Sequence, residues 1–186
     1  MLGETTFRLH RKTKVFLMPE SKKIALLVDG PNMRKYSKEA ESTFNDVLRT
    51  IRKIAESYGT VDNCKAIVYF DINVRKGPSP IKHSMDNGFH VSIGSASRET
   101  FDIDEKLIHD AENYIKGSDI DILAVAAGDI HYLPLISTAR EHGKEFLLIY
   151  PSGKTTSKRL LAASPLSEAI IPISPAAQPD LQNYRP

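Results

Sequence analysis

The sequence predicts an α/β fold, a Rossmann-like parallel sheet of about five to six strands with helices on both faces. Two observations carry this. From residue 22 to residue 173, short apolar runs alternate with segments whose apolar residues recur at helical spacing. Three of those runs lead into an aspartate, at Asp29, Asp71 and Asp129. Strand–helix alternation of this kind implies parallel strands joined by right-handed crossovers.

Residues 1–21 stand outside the rhythm and read as an N-terminal basic extension. Phe7–Leu9 and Val15–Met18 have the composition of a short edge hairpin stopped by Pro19. From Arg8 to Lys23, the residues Arg8, Arg11, Lys12, Lys14, Lys22 and Lys23 stand against Glu20 alone, so a disordered basic arm fits as well.

Ile24–Val28 is an unbroken apolar run, as a strand buried on both faces requires. It stops at Asp29, and Gly30-Pro31 turn the chain. A polar loop is expected over Met33–Ser42. A helix follows with Ser42 or Thr43 as N-cap, carrying Phe44, Val47, Leu48, Ile51, Ile54, Ala55 and Tyr58 on one side and ending at Gly59. Cys64–Phe70 is a second buried strand, with Cys64 expected as a small buried residue. The Gly77–Pro80 turn opens a short helix, Ile81–Asn87, and Phe89–Ile93 is a third strand. After the polar loop Gly94–Phe101, a helix over Ile103–Lys116 has Asp102 as its N-cap. Ile120–Ala127 is the most apolar run and should be central. Tyr132–His142 is a helix that tolerates Pro134 in its first turn. Phe146–Tyr150, a helix over Thr155–Ala163 and a strand at Ala169–Ile173 complete the domain, 22–173. Residues 174–186 form a proline-rich tail with little to pack. Ile24–Val28, Ala66–Phe70 and Leu123–Ala126 are expected to lie together in the sheet.

The 186 residues suit one α/β domain. The apolar fraction of 41% and the charged fraction of 26% are those of an ordinary globular protein, and the net charge of +2 decides nothing about nucleic acid. The lone cysteine, Cys64, excludes an internal disulfide and a cysteine-rich zinc site. No apolar run approaches the roughly 18 residues of a membrane helix, and the charged N-terminus lacks a signal-peptide core. A cytoplasmic protein without membrane association is expected.

In a parallel sheet the carboxyl ends of all strands share one edge, where open α/β sheets bind their ligands. Asp29, Asp71 and Asp129 should meet there, and Asp102 and Asp104 open toward it from the start of a helix. Asn32 adds an amide near Asp29. Clustered carboxylates repel unless protons or a cation neutralise them. Oxygen ligands without cysteine suit Mg²⁺ or Mn²⁺, which can activate water and stabilise a leaving oxygen in phosphodiester hydrolysis. Each aspartate also has a local explanation as a turn or capping residue, and for Asp102 capping is the better one. The sequence has no GxxxxGK[ST], no GxGxxG after the first strand, no GxSxG and no HExxH. A P-loop, a dinucleotide fingerprint, a serine-hydrolase elbow and that zinc motif are therefore excluded. Of the six histidines, only His131 lies near the acidic edge.

VDGPN at 28–32, IDEKLIHDA at 103–111 and AGDIHYLP at 127–134 resemble the three acidic blocks of the NYN domain, in its LabA-like branch. Those blocks run approximately VDGxN, VDVxLxxD and SGDxDFxP. PSGKTTSKRLLAAS at 151–164 echoes a closing segment in which a Ser and a Leu precede the last strand. The resemblance implies a PIN-like, metal-dependent ribonuclease domain. It implies that Asp29, Asp104 and Asp129 are catalytic residues and hold Mg²⁺ or Mn²⁺, that Asp110 is a ligand or supports one, and that Asn32 orients water or phosphate. RNA is the implied partner, approaching over Arg34, Lys35, Arg75 and Lys76 in loops after strand ends. A homodimer stays open. There are departures from the pattern: Ala127 stands for its serine, His131 for its second aspartate, and Phe101-Asp102 for the lysine-glycine that often precedes the second block. His131, Asp102 and Asp71 are thus candidate modulators of the site. The alternatives are a non-catalytic RNA-binding or regulatory protein, and a small-molecule phosphohydrolase or nucleotide-binding protein.

Overall fold

The computed structural model describes residues 21–71, 79–94, 103–117, 119–152 and 156–171. The expected N-terminal extension, the tail from 174, and Arg75, Lys76 and Asp102 lie outside the described residues.

Six parallel strands form one sheet, flanked by helices. In chain order they are β1 (Lys23–Asp29), α1 (Gly30–Glu39), α2 (Phe44–Glu56), β2 (Thr60–Phe70), α3 (Ser79–Asp86), β3 (His90–Ile93), α4 (Ile103–Gly117), β4 (Ile122–Ala126), a 3₁₀ turn (Ile130–Tyr132), α5 (Leu133–Glu141), β5 (Glu145–Pro151), α6 (Lys158–Ala163) and β6 (Leu166–Ile170). The strand order is β3-β2-β1-β4-β5-β6. β1 therefore pairs with β2 on one side and β4 on the other, as expected for Ile24–Val28, Ala66–Phe70 and Leu123–Ala126.

The two faces of β1 divide the core. Ile24, Leu26 and Val28 pack with Met33 and Tyr36 of α1 and Val47, Leu48 and Ile51 of α2. Ala25 and Leu27 pack with Leu107, Ala111 and Ile115 of α4, Leu135 and Ile136 of α5, and Leu160 of α6. Burial on both faces is why these strands read as continuous apolar runs rather than alternating ones.

The segment expected as a polar loop after β1 is mostly helical. The Asp29 carboxylate accepts the Asn32 backbone N–H at 2.9 Å and caps α1, and Pro31 fits the first turn. Only Met33, Tyr36 and Ser37 supply the buried side beyond Gly30, so the apolar signal is thin. Gly30 is required at this turn: a Cβ there would stand 2.4 Å from the Tyr69 carbonyl oxygen and 2.5 Å from the Phe70 ring.

Three further expectations are corrected. β2 begins at Thr60, four residues before the expected start. Its register against β1 shifts between Ile24 and Leu26, so residues 62–65 leave the ladder and Cys64 is exposed, not buried. β6 spans Leu166–Ile170 rather than Ala169–Ile173. It is an edge strand, half-exposed, and Ser167 and Glu168 interrupt its apolar pattern.

Candidate metal centre at the carboxyl edge of the sheet

The strand order reverses between β1 and β4. β1 connects outward to β2, and β4 connects the other way to β5, so the chain parts at their carboxyl ends. Asp29 is the last residue of β1 and Asp129 lies three residues past the end of β4. Asp104 sits in the first turn of α4. Of the three strand-end aspartates expected to meet, Asp29 and Asp129 approach this cleft, where Asp104 joins them, and Asp71 does not.

Asp104, Asp129 and His131 each offer one ligand atom, and these atoms lie within 4.8 Å of one another. The His131 Nδ1 is 3.0 Å from Asp104 Oδ2 and 3.3 Å from Asp129 Oδ1. Asp129 caps the 3₁₀ turn by accepting the His131 backbone N–H at 3.2 Å. That cap fixes the turn that carries the imidazole. Two carboxylates and an imidazole could hold a divalent ion.

Asp29 lies behind this group and is 6% exposed. One of its oxygens accepts from Asn32, and the other lies 3.1 Å from the Tyr132 hydroxyl. That hydroxyl donates to Asp104 Oδ1 at 2.6 Å. A phenol has one proton, so it serves the closer carboxylate, and the contact with Asp29 is satisfied when Asp29 carries a proton. Burial, opposed by the Asn32 N–H, pushes the Asp29 carboxyl up to about 6; the Asp104 charge adds to the rise. Burial, reinforced by the Asp29 and Asp104 carboxylates, raises Tyr132 far above the usual phenol range and keeps it protonated.

Asn32 supplies a second sign that the site is built to receive something. Its Oδ1 is buried without a hydrogen-bond partner among the described residues. A carbonyl oxygen seeks a donor or a cation, so it fits a water or an ion rather than a phosphate oxygen.

The structure does not bring Asp110 into the group. It lies farther along α4, where Tyr69 donates to its Oδ2 at 3.0 Å and Lys106 reaches the same oxygen at 3.1 Å. Those contacts give it a role in tying α4 to β2. Asp71 follows β2 and is exposed, one strand away from the switch point. Arg34 and Lys35 lie on α1, not in a loop; Arg34 is half-buried, and Lys35 is exposed with Glu39 at 4.0 Å.

The residue that the sequence did not single out is Tyr132. In a helical stripe its ring reads as core, and the ring is indeed fully buried. The available signal was the third block, SGDxDFxP, where Tyr132 adds a hydroxyl at the phenylalanine position. The echo at 151–164 also gains physical content. The Ser157 N–H donates to the Gly128 carbonyl at 2.8 Å, Ser157 caps α6, and Leu160 is buried beneath. The start of α6 is thereby fastened beside Asp129.

Comparison with known proteins agrees with this architecture. The sequence model of the NYN domain matches residues 23–168. An uncharacterized protein of Methanocaldococcus jannaschii, MJ0482, is 31% identical over 127 residues, which is 68% of this chain and 47% of that protein. The chain thus spans about half the length of this relative. In fold, the chain is similar to the crystal structure of a protein of unknown function, VPA0982, from Vibrio parahaemolyticus. The TM-score is 0.65 at 22% identity, covering 83% of this chain and 96% of that one.

Proposed function

From the premise that this chain belongs to the NYN domain family, within the PIN-like superfamily, we propose that it is a metal-dependent ribonuclease acting in the cytoplasm. The observation that carries the reading is the convergence of Asp104, Asp129 and His131 at the point where the strand order reverses. A divalent ion held there would supply a Lewis acid for the phosphodiester and a means to make water nucleophilic near neutral pH. Asp104 and Asp129 neutralise its charge, and His131 adds a nitrogen donor that favours Mn²⁺ over Mg²⁺.

In this reading the chain's own groups divide the work. Asp29 and Tyr132 lie behind the ligands and exclude solvent from their inner side. The Asn32 amide accepts from an incoming water through its buried Oδ1. Arg34 and Lys35 on α1, with Arg75 and Lys76 after β2, meet RNA phosphates without reading sequence. No helix among the described residues is long and apolar enough to cross a membrane.

Cleavage of a generic single-stranded RNA tests the proposal. The parent should cut with Mn²⁺, should stop when the metal is chelated, and Asp104→Asn should cut no faster than chelated parent. A parent that binds RNA but never cuts it, with any divalent ion, is instead a non-catalytic RNA-binding protein. That second reading is favoured by one observation, the imidazole at 131 in place of a carboxylate.

A further inference from the structure

The Tyr132 hydroxyl joins three elements that supply the candidate site. The residue closes the 3₁₀ turn after β4, the same turn that carries Asp129 and His131. Its ring is fully buried in the apolar cluster that includes Leu107 and Ala111 of α4 and Leu135 of α5, which restrains it. Its hydroxyl donates to Asp104 Oδ1 on α4 at 2.6 Å and lies 3.1 Å from Asp29 Oδ2 at the end of β1. The other oxygen of Asp104, Oδ2, stands 3.0 Å from His131 Nδ1. The two oxygens of one carboxylate thus have separate tasks, one turned inward to the phenol and one outward to the ligand group.

We infer that Tyr132 is a positioning residue, whose hydroxyl locks the Asp104 carboxylate with Oδ2 aimed at Asp129 and His131. The inference rests on the metal reading above. Without the hydroxyl, Asp104 Oδ1 loses its inner hydrogen bond, the carboxylate is held only through the Oδ2 contact with His131, and no hydroxyl stands between it and Asp29. Outer partners that orient a ligand typically change metal affinity by about 10–100-fold when removed. The phenyl ring itself serves the core, so the two roles separate in Tyr132→Phe, which keeps the ring and deletes only the oxygen.

The experiment is a calorimetric titration of parent and Tyr132→Phe with Mn²⁺ alone. It is joined by the electron paramagnetic resonance spectrum of the bound ion, whose zero-field splitting reports ligand geometry, and by the melting temperature without metal. The expected result is a Mn²⁺ dissociation constant about 10–100-fold higher in the variant, with an altered spectrum and a cooperative melt. Equal affinity and an identical spectrum, with only the melting temperature changed, would make the hydroxyl a structural group and overturn the inference while leaving the metal reading intact. A parent that takes up no Mn²⁺ at all overturns both. Loss of the cooperative melt is handled by Asp104→Glu in the parent ring background. That variant keeps the charge but moves it by one methylene, and it should show a comparable loss of affinity; an unchanged affinity there would show that the aim of this carboxylate is immaterial and overturn the inference too.

Discussion

At the amino edge of the sheet, Lys65 reaches Asp62 at 2.7 Å and Asp119 at 2.8 Å, and Lys23 reaches Asp119 at 3.2 Å. Lys22 pairs with Glu145, and the Lys23 backbone N–H donates to Asp121. At the carboxyl edge, by contrast, the ion pairs of Asp104 and Asp129 among the described residues are with the imidazole of His131. The chemical consequences run in opposite directions. The lysine beside them holds Asp62 and Asp119 below the usual carboxylate range, and Asp119 and Asp62 push Lys65 up to about 12. Burial instead pushes Asp29 up to about 6. One edge matches carboxylates with ammonium groups and leaves them in water. The other gathers carboxylates around a hydroxyl, a backbone N–H and an imidazole, with a buried amide oxygen unpartnered. Among the described residues, this difference in how the carboxylates are partnered supports the second edge as the candidate site.

The largest effect that would sharpen this contrast is on stability, at Asp29. Its folded-state value, about 6, lies above the ordinary 3.8, so folding takes up a proton between those limits. Stability is therefore greatest below the lower limit, falls as pH rises through the window, and stays low above about 6. The two-unit rise corresponds to a penalty of at most about 3 kcal/mol at neutral pH. Asp29→Asn removes the ionisation. Its carbonyl can still accept from Asn32, and its NH₂ can donate to the Tyr132 oxygen, which leaves the phenol proton for Asp104. Denaturant melts without divalent ions should show the variant more stable than the parent at pH 7–8, with the gain vanishing by about pH 4. A gain independent of pH would show that Asp29 ionises normally.

A smaller effect is expected at His131. His131→Asp makes the outer group all-carboxylate, which suits Mg²⁺. Competition titrations should show the Mn²⁺-over-Mg²⁺ preference falling by about tenfold, or about 1.4 kcal/mol. An unchanged ratio would place the imidazole outside the ion's reach.

How far the sequence foretold these edges follows from how each feature is encoded. Asp29 and Asp129 were legible because a buried parallel strand is a continuous apolar run with a defined end, and the fold places all such ends together. Asp104 was legible because it opens a helix with a clear apolar stripe. Tyr132 was not, since a tyrosine in such a stripe looks like core until its hydroxyl is seen between two carboxylates from distant segments. Asp110 was named by the resemblance alone, and the contact the structure gives it was not legible. Its partner Tyr69 lies 41 residues away, on β2, and no local pattern announces a pairing at that separation. α1 was missed because three of its ten residues are Lys or Arg, and because Asp29 before Gly30-Pro31 reads as the cap of a turn as readily as that of a helix. One carboxylate serves both purposes, capping through Oδ1 and facing Tyr132 through Oδ2.

The smallest effect is predicted for the amino edge, where it acts as the control for all the others. Asp119 accepts from both Lys65 and Lys23 and so joins two lysines of that network. Yet it is exposed to solvent, and exposed ion pairs contribute little because water and salt screen them and two long side chains must be held still. Asp62 also remains beside Lys65 at 2.7 Å, so removing Asp119 does not strand a buried charge. Asp119→Asn should therefore lower the melting temperature only slightly, and the difference should shrink as salt is added. Mn²⁺ affinity should be unchanged, because the network lies at the opposite ends of the strands from Asp104 and Asp129. A loss of Mn²⁺ binding in this variant would mean that the ion sits among the amino-edge carboxylates, and the contrast between the edges would have to be reversed.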